Sequence, residues 1–307
     1  MKNQPRIFLT ALIVMVVPLL ALSLSTGAAA AGEKVTDLLG REMTVVENPQ
    51  RIVALAPSIT EIVYALGQEA RLVGVTQYSD YPEAAAQLPK VGSYVHLDLE
   101  RIVSLQPDLC IGVKDGNPKD VVDRLDDLQV PVFVVNPRDL QSVMQTLTAI
   151  GGLLQVRDRA DAIVSGMQSR IEAVERAVST SEKRPSVFFQ IGVSPIVSVG
   201  THTFINELIV KAGGRNLAAG EVAYPRYSRE QVLGMAPDVI VITSMARHAV
   251  FEQVLAEWKQ WPHIPAVRDG RIFMQDSNLF DRPTPRLVDG LELLAGMIHP
   301  ELFEEGS

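Results

Sequence analysis

From Arg51 to about Leu154, short apolar runs without internal alternation are separated by stretches whose apolar residues recur every three or four positions. Ile52–Leu55, Leu72–Val75, Leu109–Val113 and Val132–Val135 read as strands buried on both faces of a parallel sheet, because an exposed face would impose a period of two. The intervening periodicity predicts helices, so the order is βαβα. After the first strand, Ser58-Ile59-Thr60-Glu61 has the form of a capping box, with Ser58 accepting the amide three residues on and Glu61 reaching back. That turn would stand at a strand's carboxyl end, where open α/β sheets hold ligands, which makes Ser58 a candidate ligand contact. A well-capped helix and nothing more is the competing reading.

Residues 157–179 then carry Ala160, Ile163, Val164, Met167, Ile171, Val174 and Val178 at helical spacing, with Arg and Glu between them. At about 1.5 Å per residue this helix spans roughly 33 Å, the diameter of a small domain. Gly166 is its one weak point, and Ser181 to Pro185 ends it. A second α/β unit follows, with strands near Val187–Gln190, Ile196–Val199, Val239–Thr243 and Ile272–Met274. The expected fold is α/β, two Rossmann-like lobes with largely parallel central sheets joined by one long α-helix. The expected boundaries are a leader at 1–31, an N-terminal lobe at 32–154, an interlobe helix at 155–184 and a C-terminal lobe at 185–307.

The two units share a repeat. Leu99 through Ile111 aligns without a gap on Arg229 through Val241, each a short helix, a Pro-Asp turn and a buried strand. Glu100 and Glu230 occupy the same place in the two copies, which lie too far apart for a solenoid with units of about 20–50 residues. Two similar lobes, each offering one carboxylate at a matching point, suit something held between lobes and docked on a two-fold partner.

The leader combines Lys2 and Arg6, an apolar run from Ile7 to Leu24 and the small residues Ala28 to Ala31. This is the pattern of a secretory signal peptide cut near Ala30 or Ala31, the rival being a membrane-anchoring helix. No Cys follows the run, so a lipid anchor is not expected. The net charge of −8 and the absence of a basic block argue against nucleic acid. The one cysteine, Cys110, falls inside an apolar strand and reads as an inert buried residue.

Five segments then carry a resemblance: Val75-Thr76-Gln77-Tyr78-Ser79-Asp80-Tyr81-Pro82, Leu99-Glu100-Arg101-Ile102-Val103, Val187-Phe188-Phe189-Gln190, Ser228-Arg229-Glu230-Gln231-Val232-Leu233, and Phe280-Asp281-Arg282 with Pro285-Arg286. On them the chain resembles, over nearly all of residues 50–300, the periplasmic cobalamin binders of ABC importers. Their helix-linked class also holds iron-siderophore and haem binders. The resemblance implies a periplasmic carrier, expected to be a monomer. It would take cobalamin or a related corrinoid as cargo, have no cofactor or metal of its own, and meet the membrane only through a permease dimer. It places Tyr78, Tyr94 and Tyr224 as aromatic walls of a cleft, Tyr94 and Tyr224 where the family example has Trp. It puts Asn278, Asp281 and Arg282 on a loop facing the ligand's polar side, where the relative has acids at the first two positions. Glu100 and Glu230 would dock on basic residues of the permease.

Haem is the nearest alternative cargo. Haem binders of the class place Tyr directly after the glycine matching Gly92; here Ser93 stands there and Tyr94 follows, with His96 available nearby. A ferric siderophore would favour a basic cleft, which this acidic chain does not advertise. A secreted α/β enzyme is the reading from another class, and the chain has no Gly-x-Ser-x-Gly elbow, phosphate loop or His-Glu-x-x-His helix. His202, His248, His263 and His299 have no metal-ligand spacing. Trp258 and Trp261 read as packing at a helix end.

Overall fold

The computed structural model describes residues 32–244 and 249–303, so the apolar leader at 1–31 and His248 lie outside the described residues. Strands β1 (Gly32–Thr36) and β2 (Glu42–Val46) open it as an antiparallel hairpin. The apolar pattern did not predict this hairpin, because its residues are mostly exposed and carry little alternation. Asp37 at the turn holds it instead: its carboxylate accepts the Leu39 and Arg41 amides, each at 2.9 Å, and pairs with the Arg41 guanidinium at 2.8 Å.

Strands β3 (Ile52–Ala54), β4 (Leu72–Val75), β5 (Leu109–Val113) and β6 (Val132–Val135) form a parallel sheet ordered β4-β3-β5-β6. Every residue of β5 and β6 is buried, as the unbroken apolar runs required. Helices α1 (Pro57–Ala65), α2 (Leu99–Ser104), α3 (Lys119–Asp127) and α4 (Leu140–Leu153) accompany it. Helix α5 (Arg157–Ser179) follows, 23 residues long and continuous through Gly166.

Beyond it come strands β7 (Ser186–Gly192), β8 (Ile196–Ser198), β9 (Arg215–Asn216), β10 (Arg226–Tyr227), β11 (Val239–Ser244) and β12 (Ile272–Asp276). The intervening and following helices are α6 (Phe204–Lys211), α7 (Arg229–Met235), α8 (Ala249–Trp258), α9 (Pro265–Arg268), α10 (Ser277–Phe280) and α11 (Leu287–Ile298). The sheet runs β10-β8-β7-β11-β12, with β9 also beside β7. It is mixed: β7, β9, β11 and β12 are parallel, whereas β8 and β10 run antiparallel. In each sheet the chain builds outward on one side of its first strand and then crosses to the other. The switch points lie at β3/β5 and β7/β11, and crevices open there at the carboxyl ends of the strands.

The repeat read from sequence extends to individual hydrogen bonds. Gln106 and Ala236 end their helices with left-handed backbone, φ 47° and 48°. Asp108 Oδ2 then accepts the Arg51 amide at 2.9 Å, just before β3, and Asp238 Oδ2 accepts the Ser186 amide at 2.8 Å at the start of β7. Each Pro-Asp carboxylate thus pins the entry of the neighbouring parallel strand and fixes register there.

Helix α5 joins the halves through packing rather than as a free strut. Its buried Ala160, Met167, Ile171, Val174 and Val178 belong to one apolar core that also contains Ile111 from the first sheet and Phe189 and Leu291 from the second half. Arg170 adds a fork to Asp289 and Glu292 on α11, and Glu207 on α6 accepts the Leu140 amide at the start of α4 at 2.8 Å.

Candidate functional site

The segment 77–82 is anchored from beneath by a buried hydroxyl chain. Thr60 Oγ1 donates to Ser79 Oγ at 2.9 Å, which lies 3.0 Å from Thr76 Oγ1. Lys90 Nζ donates to the Ser79 carbonyl at 3.1 Å. So fixed, Tyr78 stands out from the surface and meets the edge of half-buried Tyr94, their ring centroids 6.1 Å apart. Tyr94 has its own anchor in Asn117, whose Nδ2 donates to the carbonyls of Tyr94 and Leu55, each at 2.8 Å. Asn117 Oδ1 accepts the Val113 amide at 2.7 Å, so one buried amide ties this wall to the β3/β5 switch point.

Tyr224 comes from the other half. It rides on a lip bonded to the end of β8 and the residues after it: the Ser198 amide donates to the Pro225 carbonyl at 3.0 Å, and that of Gly200 to Ala223 at 2.8 Å. A side chain at Gly200 would overlap the Val222 carbonyl, so the lip can lie this close only over glycine. Tyr224 is exposed at its surface yet within electrostatic reach of acids from both halves. Its hydroxyl pKa is raised by crowding, then by Asp281 and Asp115.

Asp276 caps α10, accepting the Asn278 amide at 2.9 Å, and the chain turns at Asp281. Asn278 is half-buried on that single turn. Asp281 is exposed at the surface, yet the protein gathered around it desolvates its carboxyl and pushes it up to about 7. Arg282 opposes the rise and Asp276 adds to it.

Two expectations need correction. Ser58 caps nothing: Pro57 takes the first helical position, for which its fixed φ is suited, and the cap passes to the extended Ala56. Ser58 is left in the first turn, 5% exposed, and Glu61 does not reach back to it. Glu61 instead crosses to the other half, where its Oε1 lies 2.9 Å from Arg282 and its Oε2 3.4 Å from Arg286. Arg282 also pairs with Asp80 at 2.9 Å and donates to the Tyr78 carbonyl at 3.0 Å. It is therefore committed to protein partners rather than left free to face a ligand's polar side.

Glu100 and Glu230 are both exposed, each the second residue of its short helix, α2 and α7. The Glu230 carboxyl lies below the ordinary range, lowered first by its own backbone amide and then by Ser228. Trp258 is buried, its Nε1 donating to Gln190 Oε1 at 3.1 Å, and His299 is enclosed beside the Gly213 carbonyl. Burial raises the Cys110 thiol pKa, in keeping with an inert residue. A separate concavity of about 490 Å³ lies among the β1–β2 hairpin, α4 and α5, and none of the expected ligand residues lines it.

Residues 52–279 match the model of the periplasmic binding protein family. The chain belongs to that family. As a periplasmic binding protein of ABC-importer type it implies a small-molecule ligand and a permease partner rather than a catalysed reaction. It is 31% identical over 252 residues to a vitamin B12-binding protein of Vibrio parahaemolyticus, covering 81% of this chain and 90% of the relative. It is also 31% identical over 277 residues to an uncharacterised ABC transporter substrate-binding lipoprotein of Bacillus subtilis, covering 88% and 87%. Among solved structures it superposes on a periplasmic haem-binding protein from Pseudomonas aeruginosa with TM-score 0.76 at 30% identity, covering 84% of this chain and 96% of that one. The periplasmic vitamin B12-binding protein of Vibrio cholerae gives TM-score 0.72 at 28% identity, covering 84% and 99%.

Sequence reading missed Asn117, Glu61 and Arg286 as parts of this region. Asn117 had a signal in Asp115-Gly116-Asn117-Pro118, a turn sequence directly after a strand. Glu61 and Arg286 each stood in a segment singled out above, but their pairing left no signal, since a contact between residues so far apart leaves no trace in local spacing.

Proposed function

We propose that this periplasmic binding protein captures cobalamin or a related corrinoid between Tyr78 and Tyr94 on one side and Tyr224 on the other, and delivers it to its permease. One observation carries the reading. The aromatic wall is accompanied by two exposed carboxylates, Asp281 and Asp115, the latter 3.5 Å from Arg138, while Arg282 and Arg286 are held by the buried Glu61. A corrin is a broad apolar disc rimmed by amides, whose N–H groups suit carboxylate acceptors and whose faces suit tyrosine rings. Asn278 supplies a further amide at the same turn. Ser58 is too enclosed to serve as more than backing for α1. The vitamin B12-binding relatives favour the same cargo.

Haem is the second reading, favoured by the haem-binding structural neighbour and by Tyr94 with His96 two residues beyond it. The two separate in one measurement. Protein expressed with its leader and purified with bound ligand should show corrin bands in the visible spectrum, and calorimetry should give stoichiometric heat with cyanocobalamin. A Soret band, with no heat from cyanocobalamin, would transfer the assignment to haem.

Glu100 and Glu230 are proposed as the permease contacts. An Arg fork meets a carboxylate bidentately, so one contact on each half fixes orientation as well as attraction.

A further inference from the structure

Two arginines beside the aromatic wall, Arg282 and Arg286, are held by a carboxylate of the opposite half. Glu61, on α1, is 4% exposed and touches Arg282 at 2.9 Å and Arg286 at 3.4 Å. The second arm of Arg282 is taken by Asp80 and the Tyr78 carbonyl, and the Arg286 guanidinium lies 3.7 Å over the Tyr81 ring. Two acids act on Tyr224: Asp281, and Asp115, itself 3.5 Å from Arg138.

We propose that Glu61 is a selectivity-determining residue: by holding Arg282 and Arg286 it makes the site reject ligands that present carboxylates and accept those that present neutral amides. The inference rests on this region being the ligand site and deepens that reading.

A ligand carboxylate gains most from a guanidinium that it can meet with both oxygens. To obtain one here it must displace Glu61, which would then be buried with half of its counter-charge gone. Uncompensated buried charge is among the costliest arrangements in a protein. Asp281 and Asp115 add like-charge repulsion to the same ligand. Discrimination therefore comes largely from what the site denies to the wrong ligand. A neutral amide rim asks nothing of the arginines and leaves the pairing intact. The arrangement also explains how a site can contain arginine without favouring acids.

The decisive comparison uses haem, which carries two propionates, and haem dimethyl ester, which has the same ring without a free carboxylate. Wild type, Glu61→Gln and Glu61→Gln/Arg282→Gln are titrated with each in visible absorbance, beside cyanocobalamin. Glu61→Gln should raise affinity for haem by about tenfold, the scale of one charge-assisted contact, and leave the ester unchanged. Adding Arg282→Gln should abolish the gain. Asp80→Asn, at a largely exposed side chain, frees one arm of the same guanidinium without disturbing the core and should shift haem by about threefold in the same direction. This variant keeps the test available if Glu61→Gln does not fold. Equal effects on haem and its ester, or loss of both, would make Glu61 a structural brace and overturn the proposal. Failure of wild type to bind cyanocobalamin while the haem-to-ester ratio still responds to Glu61 would sink the corrinoid reading alone. Absence of binding by every tetrapyrrole in every variant would sink both.

Discussion

Tyr224 and Asp281 do different work at the same spot. Tyr224 offers a broad apolar face held by a lip over Gly200, and its replacement by alanine should weaken corrinoid binding by roughly 1–3 kcal/mol, the range for a packed aromatic anchor. Calorimetry checks this, with circular dichroism to show that the fold is kept. Asp281 is the pH-dependent member. Its folded pKa of about 7 exceeds the ordinary carboxylate value, so below the ordinary value both folded and unfolded chains hold the proton. Between the two values only the folded chain holds it, and stability falls as pH rises through that window; above about 7 the contribution is flat. Ligand amides are accepted best by the ionised form, so affinity for cyanocobalamin should rise from pH 6 to pH 8. Asp281→Asn should flatten the profile; an unchanged slope in that variant would remove Asp281 from the site. Sequence reading found these two residues through resemblance, but it could not find the partners of Arg282. Those partners depend on the meeting of α1 with the turn after α10, which local pattern does not encode.

At the level of elements, strand positions and the long helix were legible because burial on both faces or along one stripe leaves a direct mark on composition. Arg157–Ser179 is helical over the span its periodicity predicted. The strand at Ile196–Val199 was legible too, and β8 lies there, but its antiparallel sense was not; the β1–β2 hairpin and β10 were less visible, being short or held by side-chain and turn hydrogen bonds more than by apolar alternation. The apparent capping box at Ser58 misled because a proline at the first helical position moved the cap to Ala56. The internal repeat was the most reliable signal, and the structure explains why: Asp108 and Asp238 each receive backbone amides of the adjoining strand. Asp108→Ala and Asp238→Ala should each cost about 1–3 kcal/mol, as expected for charge-assisted bonds to backbone amides, exposed at Asp108 and partly buried at Asp238. Urea unfolding would measure it, and similar losses at the two sites would bear out their equivalence.

On the scale of the whole molecule, ties among the described residues cross between the halves: the core along α5, the Glu207 bond to Leu140, and Arg282 and Arg286 with Glu61, Asp80 and the Tyr78 carbonyl. Together they resist large relative rotation. Docking through Glu100 and Glu230 should then be separable from cargo binding. Alanine at either position should leave cyanocobalamin affinity within about twofold of wild type, since surface substitutions shift free energy by under ~0.5 kcal/mol. Uptake into vesicles containing the permease should fall, most of all on double charge reversal. Normal transport by the reversed protein would remove both residues from the interface. The ties also bear on traffic at the membrane. A carrier whose halves are tied in this way should show the permease much the same face full or empty, so idle copies should occupy the gate nearly as readily as laden ones. Abundance then has an optimum: beyond the point where cargo saturates the pool, each additional molecule of carrier slows import.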